Sequence, residues 1–164
     1  MPRTATGIPP LSIARHPLQR ILQEAINARP QCCCGLFACA DHTVSATAPL
    51  ANHAPHPEDD CDMDIEDIRQ RLCRWQRQGM QCRGIYHSLP TACDVDAALL
   101  QKLEHTLRKA MPEADSGEII HLFVVLDTEG RLEARACCCR QGEVCEVPLA
   151  LAEDGALYPD LVSG

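Results

Sequence analysis

Apolar positions recur along the chain with two periods. Between Pro17 and Ala28 they fall at Leu18, Ile21, Leu22, Ala25 and Ile26, a stripe down one side of a helix. Pro17 suits a first helical turn, and Pro30 ends the helix. A second stripe (Ile65, Ile68, Leu72, Trp75) predicts a helix from Ile65 to Gln78, with Gly79 as its stop. A third (Leu99, Leu100, Leu103, Leu107) predicts a helix from Asp94, taken as its N-cap, to Ala110. Short apolar runs bounded by turn residues read as strands at 32–40, 44–51, 80–86 and 119–126. A closing hairpin of 132–139 and 144–149 turns around Gln141-Gly142. Residues 1–12 are rich in Pro, carry no periodicity and are expected to fray. The expected division is a flexible segment 1–12, one α+β domain over 13–150, and an acidic tail 151–164.

Charge and composition narrow the function classes. The chain has 164 residues and a formal net charge of -8, which argues against a partner built of phosphates. The apolar run from Ile119 to Leu126 is interrupted by His121 and is far shorter than the roughly 20 residues that cross a bilayer. The first ten residues show no export signal, so the expected compartment is the cytoplasm. Twelve cysteines are then expected to be reduced. Two triplets stand out, Cys32-Cys33-Cys34 and Cys137-Cys138-Cys139. In a strand their outer members point to one face and the middle one to the other. Neither has the spaced Cys pairs usual in zinc sites, so both read as core filler.

The segment Gly84-Ile85-Tyr86-His87-Ser88-Leu89-Pro90 resembles the G-x-x-H-S-H-P stretch of the JAMM/MPN (JAB) metallopeptidase domain. Other parts follow in that family's order. Pro30 ends the first helix, and Cys34-Gly35-Leu36 stands where the family has C-G-L. Asn52 follows the next strand, Met63-Asp64-Ile65 leads into the second helix, and Gly142 to Leu149 closes the domain. The resemblance spans about residues 13–150. It implies a cytidine-deaminase-like, MPN-type curved sheet of about six strands flanked by helices. In active members two His and an Asp hold zinc, a Glu moves the water's proton, and a Ser steadies the oxyanion.

Transferred position by position, that constellation is mostly absent. His87 occupies the first ligand position, but Leu89 and Leu100 fall on the other two. Cys32 takes the Glu position and Ala97 the Ser position. Leucine cannot ligate zinc, and Leu and Ala at the three lost positions of the loop and third helix fit a site collapsed into dry packing. The resemblance thus implies a pseudo-metallopeptidase with no cofactor. Its partner is then a ubiquitin-like or sulfur-carrier protein, an active JAMM/MPN relative or a second copy. Three rivals stay open. Cys32, Cys93, Asp94 and Asp96, near His53 and His56, offer rebuilt zinc ligands beside His87 for a peptidase or isopeptidase. Cys32 and His87 offer a nucleophile and its base. A cysteine-rich metal buffer would take up several ions.

Overall fold

The computed structural model describes residues 3–4, 8–89, 95–111, 117–126 and 129–152. Its elements in chain order are β1 (Arg3–Thr4), β2 (Leu11–Ile13), α1 (Arg15–Ala28), β3 (Cys34–Ala40), β4 (Thr43–Leu50) and α2 (Ile65–Arg77). They continue with β5 (Gln81–Ser88), α3 (Ala97–Ala110), β6 (Ile120–Leu126), β7 (Leu132–Arg140), β8 (Glu143–Val147) and β9 (Leu149–Leu151).

Local chemistry explains the helices. The Asp64 carboxylate accepts from the Asp67 N–H at 3.1 Å and caps α2. Glu66 and Asp67 in its first turn, with Arg74 and Arg77 in its last, complement the helix dipole. In α3 the cap is Asp96, accepting from the Ala98 N–H at 3.0 Å, two residues later than expected. Asp94 lies outside the described residues. Helix α1 has no side-chain cap and is held by packing of Pro17, Ile21 and Ala25. None of the described helices is long and apolar enough to cross a membrane.

The sheet contains nine strands among the described residues, in the order β1-β8-β7-β6-β5-β3-β4-β2-β9, where about six were expected. The extra three have identifiable causes. Strands β1 and β2 are too short to show periodicity, and their partners lie at the far end of the chain: β1 runs parallel to β8, and β2 parallel to β4 and β9. Pro148 splits the expected last strand into β8 and β9, because it has no N–H for a ladder. Arg3–Thr4 and Leu11–Ile13, in and at the end of the Pro-rich N-terminal segment expected to fray, are therefore strands. The sheet is mixed: β3 is antiparallel to β4 and β5, β6-β7-β8 is antiparallel, and β5-β6 is parallel across α3.

Strands β8 and β9 stand near opposite ends of that order, yet one residue joins them. A single residue spans only about 3–4 Å, so the sheet is rolled until its ends nearly meet. The Leu11 N–H donates to the Pro148 carbonyl at 2.7 Å across the closure. Residues from strands all round the roll gather in one cluster with Ile21 and Ala25 of α1, including Ile13, Phe37, Val44, Tyr86, Leu122 and Val147. On the other face α2 and α3 contribute Ile68, Trp75, Leu103 and Leu107 over Leu36, Ala38 and Ile85. Fully burying each such side chain stabilises the fold by about 1.5–3 kcal/mol. The triplets alternate as expected. Cys33 and Cys138 join the α1 cluster, Cys32 and Cys34 the α2/α3 cluster, and Cys137 a third one with Leu100 and Phe123.

Candidate functional site

The end of β5 carries three polar residues in a row, and the pleat sends them to alternate faces. Tyr86 faces α1 and donates its hydroxyl to Glu24 Oε2 at 2.5 Å. Its ring lies across Gly35, where a Cβ would come within 2.4 Å of the ring. Gly84, one step earlier on that face, has room for no side chain, because a Cβ would sit 1.8 Å from the Ile120 carbonyl oxygen. These two glycines of the family-like segments thus serve close approach of strands. Ser88 Oγ accepts from the Cys33 N–H at 2.8 Å. Burial raises the Glu24 carboxyl, and the Tyr86 hydrogen bond offsets part of that rise.

His87 faces the other way, pairs across β3 with Cys34 and across β6 with Phe123, and is fully buried. Its ring stacks on Phe123 at 6.1 Å between centroids and meets His121 edge-on at 5.8 Å. Neither ring nitrogen of His87 or of His121 has a hydrogen-bond partner among the described residues. Glu104 Oε1 of α3 lies 3.4 Å from His121 Nε2 without hydrogen-bond alignment. Desolvation first, and His121 second, push the His87 imidazole down to about 3. It is neutral at physiological pH and holds no water-facing nitrogen.

The Cys32 thiol sits beneath the loop between β4 and α2. Asn52 holds that loop with all its polar atoms. Its Nδ2 donates to the carbonyls of Cys32 (3.0 Å) and Asp60 (2.9 Å), and its Oδ1 accepts from the N–H groups of Ala54 (3.1 Å) and Asp62 (3.0 Å). The Cys32 N–H donates to the Pro57 carbonyl at 2.7 Å, and its thiol to the Glu58 carbonyl at 3.6 Å. Asp60 anchors the loop to α3 through Lys102 Nζ at 2.8 Å from both carboxylate oxygens. The Cys61 thiol donates to the Cys33 carbonyl at 3.7 Å, and Cys32 makes no hydrogen bond to His87. The neighbouring Cys61 thiol holds Cys32 below the usual thiol range, although burial and the charges of Asp59 and Asp60 oppose it. Cys61 is correspondingly raised.

The expected site residues therefore separate. Leu100 is fully buried, and Leu89 and Val95 pack beside it with Phe123. Asp96 is exposed and spent on its cap; Ala97 is partly buried in the first turn of α3. His53 and His56 are exposed on the loop. Cys93 and Asp94 lie outside the described residues. A nucleophile–base pair of Cys32 and His87 is not formed, since the imidazole has no partner. Among the described residues no three His, Cys, Asp or Glu side chains are grouped so as to hold a metal ion.

Sequence reasoning missed His121, Glu104 and Cys61. The one visible signal was the His that interrupts an otherwise apolar strand. Glu104 and Cys61 carry no local pattern, and only the packing of α3 and the loop brings them in.

The architecture is a rolled mixed sheet with one helix on one face and two on the other, and solved structures share it. The chain resembles the solution structure of protein DSY2949 from Desulfitobacterium hafniense, with a TM-score of 0.66 and 18% identity over 87% of this chain and 92% of that one. It also aligns with AF2198, a JAB1/MPN domain protein from Archaeoglobus fulgidus, with a TM-score of 0.49 and 18% identity over 86% of this chain and 98% of that one. At this identity the first likeness establishes the fold alone, and a TM-score below 0.5 adds no weight to it. The sequence matches no known family profile and no curated protein.

Proposed function

We propose that the chain is a non-catalytic JAMM/MPN-like module, of MPN-type and cytidine-deaminase-like architecture, that binds another protein in the cytoplasm. One observation carries this reading. His87, at the position resembling the family's first zinc ligand, is fully buried, with neither nitrogen paired among the described residues and its ring stacked on Phe123. A catalytic zinc needs three protein donors and an open position for water. Leu89 and Leu100 occupy the other two ligand positions, and Leu100 lies against the same Phe123 cluster. Such a site gives neither ligands nor water. What remains is a folded surface, with a ubiquitin-like fold, a sulfur carrier, an active JAMM/MPN relative or a second copy as the partner class. The net charge of -8 favours protein over nucleic acid.

The test is zinc content of the full chain purified without chelator, followed by incubation with a ubiquitin-like fusion extended at its C-terminus. The expected outcome is substoichiometric zinc, equal in wild type and His87→Ala, with the fusion intact. One zinc per chain that is lost in His87→Ala, together with cleavage, overturns the proposal in favour of a rebuilt metallopeptidase.

A further inference from the structure

We propose that the chain binds a small amphiphilic acid, a carboxylate on an unbranched alkyl chain, in a cavity on the α1 face of the sheet. The cavity holds about 400 Å³, within the range of small-molecule sites. It lies between the C-terminus of α1 and the ends of the parallel strands β5 and β6, where Ser88 and Val124 pair. Open α/β sheets take ligands in the crevice beyond the carboxyl ends of such strands. His87 faces the other side of the sheet, so the site is separate from the histidine cluster and goes beyond the reading of that cluster.

The walls select the ligand. Ala25, Pro30, Leu89, Val124 and Leu132 supply apolar surface. The polar lining residues are all hydrogen-bond donors: the Arg29 guanidinium, the Gln31 carboxamide and the Ser88 hydroxyl. No acid lines the cavity among the described residues. Arg29 is exposed and forms no ion pair among them. Ser88 is buried, and its oxygen already accepts from the Cys33 N–H at 2.8 Å, so its proton goes to the Cys33 sulfur or to a ligand oxygen. Glu24, next to Ala25 in the chain, gives its carboxylate to Tyr86. A carboxylate held by Arg29 and Ser88 takes up these donors while an alkyl chain covers the apolar walls. A peptide fits less well, because its amide groups along those walls go unpaired.

One local field runs the other way. The carbonyl end of α1 disfavours an anion weakly. Two of its carbonyls are already occupied, that of Ile26 by the Arg29 N–H at 3.4 Å and that of Ala28 by the Gln31 N–H at 2.8 Å. The guanidinium is therefore the deciding charge. A second hollow, of about 520 Å³ at the opposite ends of β5 and β6, is lined by Asp41 and Glu118 as well as Arg83. Opposed charges there select no anion, which makes it an internal comparison.

The experiment titrates the full, isotope-labelled chain with butanoate, hexanoate and octanoate, with octanol, and with N-acetylated diglycine, and follows backbone amide signals by NMR. Octanoate is expected to give saturable shifts at Ser88, Val124 and Leu132. Affinity is expected to rise about fourfold for each added methylene, and octanol to bind about tenfold more weakly or worse. In Arg29→Gln octanoate is expected to fall to the level of octanol. Arg29 is exposed, so that variant keeps the fold, which its own spectrum verifies. Octanoate and octanol binding alike, or octanoate binding unchanged in Arg29→Gln, overturns the inference. So do shifts confined to the surroundings of Asp41 and Arg83, uptake of the diglycine without a response to octanoate, and the lack of any saturable response to octanoate.

Discussion

Tyr86 and His87 are neighbours on one strand, both buried and both polar, and the protein treats them in opposite ways. On the α1 face the Tyr86 hydroxyl donates to Glu24, and the Ser88 hydroxyl accepts from Cys33. On the α2/α3 face the His87 ring lies against Phe123 and His121, and no imidazole nitrogen of the two has a hydrogen-bond partner among the described residues, with Glu104 Oε1 3.4 Å from His121 Nε2. A buried hydrogen bond contributes a net of about 1 kcal/mol, whereas a buried group left unpaired costs about 1–3 kcal/mol. One face is thus a finished core and the other retains polar atoms that its packing does not use. Under the proposed function, that contrast is what a ligand set replaced by aliphatic residues around one imidazole would leave.

The largest effect is expected where the finished face has least slack. Gly84→Ala places a methyl group 1.8 Å from the backbone oxygen of Ile120, and backbone cannot rotate aside as a side chain can. Parting β5 from β6 breaks the parallel ladder that carries both histidines. The expected destabilisation exceeds about 4 kcal/mol, read as loss of a cooperative transition in urea. A variant that unfolds within about 1 kcal/mol of wild type contradicts the close approach of these strands.

Next comes Tyr86→Phe, which keeps the ring over Gly35 and deletes only the donor to Glu24. The expected cost is about 1–2 kcal/mol near neutral pH, by denaturant midpoint at constant slope. The Tyr86 hydrogen bond is what lowers the Glu24 carboxyl against the rise imposed by burial, so its loss moves that carboxyl further up. Carboxyl titration followed by NMR at Glu24 checks the direction. An unshifted Glu24 means that the paired face owes its stability to packing alone.

The two faces also differ in how much of them the sequence discloses. The α2 stripe of Ile68, Leu72 and Trp75 and the alternating cysteine triplets follow local periods, and each lies on the expected face. Local pattern fails where pairing spans the chain. Leu11–Ile13 becomes a strand only because Leu149–Leu151 lies beside it. That Leu89 and Leu100 are aliphatic where the proposed reading would put ligands is legible in the sequence alone. What closes on His87 is not legible: Phe123 and His121 sit on another strand and Glu104 on a helix, at separations that no spacing rule links. Cys61 is hidden for the same reason, as one cysteine in a polar loop.

His87→Leu has the smallest effect at neutral pH and the most informative one in acid. Leucine removes two unpaired nitrogens from a fully buried position, so near pH 7 the variant is expected to equal wild type or exceed it by up to about 1–2 kcal/mol. The imidazole is depressed to about 3 by desolvation and by His121, while in the unfolded chain it protonates near 6.5. Between those values the unfolded state binds one more proton, so wild-type stability falls as pH drops, by about 1.4 kcal/mol per unit from this group. The variant lacks that contribution, and its advantage therefore grows as the pH is lowered from about 6.5 towards about 3. Parallel denaturant titrations at several pH values measure the difference between the two slopes. Equal slopes mean that His87 gains a proton or a partner in the folded state, and the contrast with Tyr86 then disappears.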